Sequence, residues 1–217
     1  MGIKIILADD HAVMRHGLSK SFQSETDMEV IAQAKDGRST VQLVKELVPD
    51  VVVMDIGMPD LNGIEATRQI TKECPKVKVV ALSMHASKHF IIEMFRAGAS
   101  AYLLKDCEFD ELVHAIRLAA DNKKYISPSI SDTVVENYVL NFSETKDSAF
   151  SILSKREREV LQLLTEGKTT KQTAKRLHIS SKTVEVHRLN LMNKLKIDSI
   201  AQLTKYAIQE GLTQPEP

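Results

Sequence analysis

Five short apolar runs, alternating with longer stretches of helical periodicity, constrain the fold of this chain most. The predicted strands span residues 3–8, 29–34, 51–54, 78–82 and 100–104. Near-continuous apolar runs of this length are typical of strands that helices cover on both faces. Strands separated by helical stretches favour right-handed βαβ units. The sequence therefore predicts an α/β fold, in which residues 1–121 form a (βα)5 doubly wound parallel sheet.

Acidic residues end two of these apolar runs. Asp9 and Asp10 follow the first run, and Asp55 follows the third. In an open parallel sheet, ligands bind beyond the carboxyl ends of the strands, at the point where the strand order reverses. Three close carboxylates repel one another, and a hard cation such as Mg2+ relieves that repulsion while leaving positions for phosphate oxygens. The pattern predicts a Mg2+ site and phosphoryl chemistry.

Two further strand ends supply the remaining chemical groups. The fourth predicted strand ends at Ser83 and the fifth at Lys105. A carboxylate such as Asp55 can attack phosphorus, while a hydroxyl and an ammonium group stabilise the charge on the phosphoryl oxygens. Such a transfer needs little beyond positioning and charge stabilisation. We expect all these side chains to lie over one edge of the sheet.

Turn-forming residues mark 122–150 as a linker, and helical periodicity marks 151–214 as a second domain. The linker is expected to be partly helical, because five of its apolar residues fall on one helical face: Val134, Val135, Tyr138, Val139 and Phe142. Ser154 followed by Glu157 fits a capping box at the start of the second domain. We predict a small all-α domain of four short helices there.

The charge of the chain is divided between its two ends. Residues 1–121 carry 14 Lys and Arg against 18 Asp and Glu, whereas residues 151–217 carry 12 against 7. The net charge is therefore −4 for residues 1–121 and +5 for residues 151–217. The basic part is expected to bind a polyanion.

The chain shows no feature of a secreted or membrane protein. It has two cysteines, without the paired spacing of metal ligands, and its first residues lack the apolar core and cleavage site expected of a signal peptide. No run approaches the roughly 20 apolar residues of a membrane span. We expect a cytoplasmic protein that does not interact with a membrane.

The motifs at the strand ends resemble those of a known family. They are Asp9-Asp10, Met54-Asp55-Ile56-Gly57-Met58-Pro59, Ser83 and Ala101-Tyr102-Leu103-Leu104-Lys105-Asp106. Together they resemble the bacterial two-component response regulators of the NarL/FixJ class, over essentially the whole chain. These regulators are signalling proteins rather than enzymes acting on external substrates.

The resemblance implies a role for each matched residue. Asp55 would accept a phosphoryl group from a sensor histidine kinase, with Lys105 close to it. Mg2+ would be bound by Asp10, Asp55 and the Gly57 carbonyl, with Asp9 acting through water. Ser83 and Tyr102 would form the switch pair, in which the hydroxyl moves toward the phosphate and the ring follows.

The C-terminal part resembles the LuxR-type helix-turn-helix, with a recognition helix over residues 181–195. The resemblance places four residues near phosphates of double-stranded DNA: Lys182, Thr183, His187 and Lys194. It places three others toward the bases: Glu185, Val186 and Leu189. Homodimerisation on phosphorylation is also implied, and RNA polymerase is a further expected partner.

The outward face of this helix lacks the Arg, Asn or Gln that would make bidentate base contacts, so modest intrinsic specificity is expected. Thr170 and Thr173 stand where the family commonly has Asn and Ile. A buried Thr173 would need a partner for its hydroxyl, and we expect the carbonyl four residues back to serve.

Two alternatives belong to other functional classes. Phosphatases of the haloacid dehalogenase type use the same aspartyl chemistry on small molecules but place a second Asp two residues after the nucleophile. That position is Gly57 here, so no acid is available to protonate a leaving group. For the C-terminal part, the alternative is a basic helical domain that binds protein instead of DNA.

Overall fold

The computed structural model describes residues 2–131 and 149–213. The first range belongs to one compact unit and the second to another. The helical face predicted for residues 134–142 lies outside the described residues.

The first unit is a parallel sheet with helices on both sides. Its strands are β1 Ile3–Ala8, β2 Met28–Ala34, β3 Val51–Asp55, β4 Lys78–Ser83, β5 Ala101–Leu104 and β6 Tyr125–Ile126. Its helices are α1 Ala12–Ser21, α2 Gly37–Leu47, α3 Gly63–Glu73, α4 Lys88–Ala97 and α5 Phe109–Ala120, with a short 3-10 turn at Phe22–Ser24. The strand order is β2-β1-β3-β4-β5-β6, and every neighbouring pair is parallel. The predicted α/β fold is confirmed.

Alternation along the strands divides the core between the two faces of the sheet. Ile5 and Leu7 of β1 share one buried cluster with Leu112 and Ile116 of α5. The intervening Ile6 is equally buried, and side chains at alternate positions point to opposite faces of a sheet. Both faces are therefore covered, which explains why the strands read as continuous apolar runs.

The sixth strand was not predicted. Tyr125 and Ile126 pair with Ala101 and Tyr102 of β5, within a region that the sequence analysis placed in the linker. Ile130 beyond them is fully buried. Residues 125–130 therefore belong to the sheet unit. The strand escaped prediction because two residues between a lysine pair and a Ser-Pro turn have no measurable periodicity.

The second unit consists of helices. They are α6 Ala149–Ile152, α7 Lys155–Thr165, α8 Thr170–Leu177, α9 Ser181–Leu195 and α10 Ile200–Gln209. The all-α prediction is confirmed, with α6 as an additional single turn. The last four helices supply core side chains that are at least 97% buried: Val160, Leu161, Leu163, Leu177, Val184, Leu191, Leu203 and Ala207. Leu153 and Leu212, outside these helices, are equally buried.

Side-chain caps set the starts of these helices. Ser154 and Glu157 form the predicted capping box at α7, and Thr169 with Gln172 forms a second one at α8. Ser180 accepts a hydrogen bond from the amide of Thr183 at the start of α9. These caps bind amide groups that would otherwise have no partner in the first turn.

One expectation for the second unit is wrong. Thr173 is fully buried, but its Oγ1 has no hydrogen-bond partner among the described residues. The hydroxyl makes no hydrogen bond to the carbonyl of Thr169, which accepts from the Thr173 amide at 2.9 Å. A buried hydroxyl without a partner costs about 1–3 kcal/mol. Thr173 therefore lowers the stability of this unit.

None of the helices within residues 2–131 and 149–213 is long and apolar enough to cross a membrane.

Candidate functional site

The sheet topology brings the predicted acids together. The order reverses between β1 and β3, which are neighbours in the sheet, and Asp9 and Asp10 follow β1 while Asp55 ends β3. Asp9 and Asp55 are buried, whereas Asp10 is exposed at the rim. The acids thus form a pocket, with two carboxylates inside it and one at its edge.

A lysine bridges the two buried carboxylates. Lys105 follows β5, and its Nζ lies 2.8 Å from Oδ2 of Asp55 and 2.9 Å from Oδ2 of Asp9. Its ammonium group therefore lies where the two negative charges would otherwise repel each other. This arrangement places a cation beside the carboxylate that was predicted to react.

The pocket alters the pKa of both partners. Burial raises the pKa of Asp55 to about 6, although Lys105 opposes this rise and Asp9 adds to it. Burial alone would lower the pKa of Lys105, but Asp55 and Asp9 raise it above its ordinary value. Lys105 therefore stays cationic at neutral pH, and Asp55 is ionised only above about pH 6.

A fourth potential ligand, His11, was not predicted. Ligand atoms of Asp9, Asp10, His11 and Asp55 all lie within 4.8 Å of one another. The backbone amide of His11 donates to Oδ1 of Asp9 at 2.7 Å, and its Nδ1 lies 2.9 Å from Oδ1 of Asp10. The residue directly after the acid pair and before α1 could have been recognised as a neighbour of the site.

The donor set fits a divalent cation. Carboxylate oxygens are the ligands that Mg2+ prefers, and the cluster offers three carboxylates at one edge. Gly57 reaches the site through its amide, which donates to Oδ1 of Asp55 at 3.3 Å. The predicted role of its carbonyl stays a prediction.

The loop after β3 is held tightly against the strand. The amide of Gly63 donates to the carbonyl of Ile56 at 2.8 Å, and Asn62 caps α3 by accepting from the amide of Glu65. A Cβ atom at Gly63 would lie 2.0 Å from the carbonyl oxygen of Asp55. Only glycine permits this approach, which fixes the backbone that carries the candidate nucleophile.

The predicted switch residues contact one peptide segment. Ser83 Oγ accepts a hydrogen bond from the amide of His85 at 3.0 Å, and the Tyr102 hydroxyl donates to the carbonyl of His85 at 2.7 Å. Tyr102 is fully buried, and burial raises its pKa to about 12. Ser83 and Tyr102 together hold both backbone groups of His85, three residues before α4.

The recognition helix matches its predicted range, and its outward face carries the residues predicted to meet DNA. Val186 is 50% exposed and Leu189 is 61% exposed, although large apolar side chains are usually covered. Lys182 is exposed as well, and Thr183 shares a hydrogen bond of 2.8 Å with Ser180. His187 is half-buried.

Two polar residues of this helix have intramolecular partners that were not predicted. Lys194 Nζ lies 2.7 Å from Oε2 of Glu157, so its charge is paired within the unit. Burial would raise the pKa of Glu157, but Lys194 and Ser154 lower it below its ordinary value. The Glu185 carboxylate accepts a hydrogen bond from the hydroxyl of Thr170 at 2.7 Å.

A (βα)5 parallel sheet with acids and a lysine gathered at its carboxyl edge defines a receiver unit, and the capped helices after it define a helix-turn-helix unit. Family models agree with this division. Residues 5–117 match the response regulator receiver domain, and residues 151–207 match the bacterial regulatory proteins of the luxR family.

Two relatives match nearly the whole chain, and a solved structure matches about two thirds of it. The oxygen regulatory protein NreC of Staphylococcus carnosus (strain TM300) is 37% identical over 214 residues, which cover 97% of this chain and 99% of NreC. The transcriptional regulatory protein DegU of Brevibacillus brevis is 35% identical over 222 residues, covering 96% and 94%. The crystal structure of a LuxR-family two-component response regulator from Aurantimonas sp. SI85-9A1 is 34% identical with a TM-score of 0.62, covering 64% of this chain and 99% of that one.

The chain belongs to the two-component response regulators of the NarL/FixJ class. This class regulates transcription. The resemblance stated from the sequence motifs is confirmed.

Proposed function

We propose that this protein is a transcription factor whose dimerisation and sequence-specific DNA binding are controlled by phosphorylation of Asp55 by a sensor histidine kinase. The observation that carries the proposal is the buried Asp55 carboxylate, 2.8 Å from the Lys105 ammonium and beside Asp9. A nucleophile in contact with a cation is the arrangement that phosphoryl transfer to a carboxylate requires.

The reaction is a transfer from phosphohistidine to carboxylate. An Asp55 oxygen attacks phosphorus, the phosphorus–nitrogen bond breaks, and the imidazole nitrogen keeps the electron pair and takes up a proton. An acyl phosphate forms on Asp55. The Lys105 ammonium stabilises charge on one phosphoryl oxygen, and the Ser83 hydroxyl donates to another. Gly57 stands where an acid would be needed to protonate the leaving group of a small-molecule substrate.

Mg2+ would be held by Asp10, Asp55 and the Gly57 carbonyl. Asp9 would act through water, and His11 lies beside these ligands. When bound, it neutralises the clustered acids and the phosphoryl oxygens. The close approach of four ligand atoms supports this assignment.

The hydrogen bonds at His85 suggest how the signal leaves the pocket. A phosphoryl group adds about −1.5 to −2 charges, which attracts the Ser83 hydroxyl. If Ser83 turns toward the phosphate and the Tyr102 ring follows, the amide and the carbonyl of His85 both lose these side-chain hydrogen bonds. The segment that leads into α4 is then held less tightly, and its surface changes.

The output is DNA binding by the recognition helix. An exposed Lys182, together with the apolar Val186 and Leu189, fits phosphate contact and contact with thymine methyl groups. A two-fold dimer would read half-sites about one helical turn apart. RNA polymerase is a proposed further partner, as expected of a regulator that acts at promoters.

The proposal is tested by treating the full chain with acetyl phosphate and Mg2+. We expect a labile adduct at Asp55 by mass spectrometry, a larger dimer fraction by sedimentation, and tighter binding to a selected duplex. Asp55→Asn should lose all three, and Asp121→Asn, at an exposed position, should keep them. Equal DNA affinity and equal dimer fraction for wild type and Asp55→Asn would contradict the proposal. Steady release of phosphate from a monoester would favour the phosphatase alternative instead.

A further inference from the structure

A polar contact joins the recognition helix to the helix before it. Thr170 is the first residue of α8, and its hydroxyl donates to Oε1 of Glu185 on α9 at 2.7 Å. The residues are 15 positions apart in the chain. A hydroxyl to carboxylate bond of this length is charge-assisted and among the stronger hydrogen bonds of a protein surface.

The donor is itself well fixed. Thr169 caps α8 in a capping box with Gln172, and this sets the backbone at the residue that carries the hydroxyl. Thr170 is β-branched, so its first side-chain angle has few alternatives. The hydroxyl therefore occupies a defined position relative to the start of α8, and through it the Glu185 carboxylate occupies a defined position on α9.

The second carboxylate oxygen has a weaker neighbour. Arg188 NH1 lies 4.0 Å from Oε2 of Glu185, one turn along α9. The Glu185 side chain is still 53% exposed, and a carboxylate can accept about four hydrogen bonds. Glu185 thus retains acceptor capacity for a group that approaches from outside.

We propose that Thr170 is a positioning residue for base recognition, which holds the Glu185 carboxylate so that it accepts from the exocyclic amino group of cytosine in the major groove. The inference rests on the proposed DNA-binding function and deepens it. Cytosine N4 is the major-groove donor that matches an acidic acceptor. Val186 and Leu189, the other residues predicted to face the bases, are apolar and cannot make such a bond.

The fixed orientation matters because Glu has three rotatable side-chain bonds. A free carboxylate would have to be ordered when DNA binds, and in many rotamers it would point at phosphates, which repel it. With Thr170 in place, that ordering is already present in the free protein. The hydroxyl therefore contributes to the choice of base and leaves the contacts of Lys182 with phosphates unchanged.

The experiment sequences a randomised duplex pool before and after one round of binding to the full chain, treated with acetyl phosphate and Mg2+. Glu185→Ala identifies the base pair at which Glu185 acts. At that pair we expect Thr170→Val to lower the preference for cytosine by about three- to tenfold, a part of the discrimination that one good base contact provides. Affinity for random duplex and its salt dependence should not change.

Three comparisons separate positioning from a structural effect. Thr170→Ser keeps the hydroxyl and should restore the wild-type preference. Thr204→Val is the matched control, because the Thr204 hydroxyl donates to the Ile200 carbonyl of its own helix. In the Glu185→Ala background, Thr170→Val should have no further effect on base preference.

The inference is overturned if Thr170→Val leaves the preference unchanged, if Thr170→Ser fails to restore it, or if the effect persists in Glu185→Ala. A uniform loss of affinity for all sequences would also overturn it, because this outcome indicates damage to α8. If the wild type binds no duplex, the proposed function itself fails, and the inference fails with it.

Discussion

Lys105 and Asp55 form a buried ion pair, with 2.8 Å between Nζ and Oδ2. Lys105 also contacts Asp9 at 2.9 Å, so one cation serves two anions and the pocket keeps an excess of negative charge. Burial raises the pKa of Asp55 to about 6 in spite of Lys105, and the nearby Asp9 adds to the rise. Burial of the Asp55 carboxylate therefore lowers the stability of the folded receiver unit when this group is ionised.

Replacing Asp55 by Asn should stabilise the receiver unit. The folded pKa of about 6 exceeds the ordinary value of 3.8, so the folded state loses stability as pH rises from about 4 to 6 and does not recover it above. At pH 7.5, without metal, we expect Asp55→Asn to raise the unfolding free energy by up to about 3 kcal/mol. Chemical denaturation in EDTA at pH 4 and pH 7.5 measures the difference. The same difference at both pH values would contradict this account, and Asp121→Asn serves as control.

Mg2+ should raise the melting temperature of the receiver unit. A cation that binds only the folded state at ten times its dissociation constant contributes about 1.4 kcal/mol, or a few degrees. Asp10→Asn should lose most of this shift, because it removes an exposed carboxylate of the cluster. Differential scanning fluorimetry at constant ionic strength provides the test. A shift that survives in Asp10→Asn, or that NaCl reproduces, would argue against a specific site.

Gly63→Ala should disrupt the loop that carries Asp55. An added Cβ would approach the Asp55 carbonyl oxygen to 2.0 Å, so the backbone must move. We expect the unfolding free energy to fall by about 2–4 kcal/mol and phosphorylation by acetyl phosphate to become slower. Gly17→Ala is the control, since nothing lies within 4 Å of its Cβ and alanine favours a helix. It should leave phosphorylation unchanged and raise stability slightly.

Tyr102→Phe should loosen the segment before α4. The substitution removes the hydroxyl that donates to the His85 carbonyl, at a cost of about 1–2 kcal/mol in unfolding free energy. Hydrogen exchange of residues 84–87 should quicken, while that of β2 should not change. Tyr125→Phe is a matched control, because its hydroxyl bonds the Glu111 carboxylate elsewhere. Unchanged exchange at residues 84–87 would disprove the role given to Tyr102.

Lys182→Ala should reduce the salt dependence of DNA binding. The slope of log K against log salt concentration is negative, and each lost phosphate contact reduces its magnitude by about 0.9. Lys194→Ala should reduce it less, because the Lys194 ammonium is already paired with Glu157. Fluorescence anisotropy over a range of NaCl concentrations measures both slopes. An unchanged slope for Lys182→Ala would contradict the proposed contact of Lys182 with phosphate. An equal change for Lys194→Ala would show that the ion pair of Lys194 with Glu157 breaks when DNA binds.

Elements with strong periodicity were predictable from the sequence. The apolar runs gave strands within one residue of those observed, because burial on both faces demands continuous apolar residues. The contacts at the carboxyl edge followed from the fold, since parallel strands all end on one side. The sequence alone therefore predicted that Asp9, Asp55 and Lys105 lie over one edge of the sheet.

Contacts between side chains of different elements were not predictable in the same way. The pairs Lys194 with Glu157 and Thr170 with Glu185 depend on how helices cross, which no local pattern encodes. The unpartnered hydroxyl of Thr173 shows the opposite failure, because a rule that buried polar groups find partners did not hold there. The partners of these side chains could be identified only from the structure.

The sixth strand has a practical consequence for anyone who divides this protein. Periodicity alone places the end of the receiver unit at residue 121. A truncation there would remove Tyr125 and Ile126, which pair with β5, and would leave amides and carbonyls of β5 without their hydrogen-bond partners. Unpaired strand borders invite other chains to associate. A receiver unit that is expressed alone, or fused to a different output domain, should therefore extend at least to residue 131.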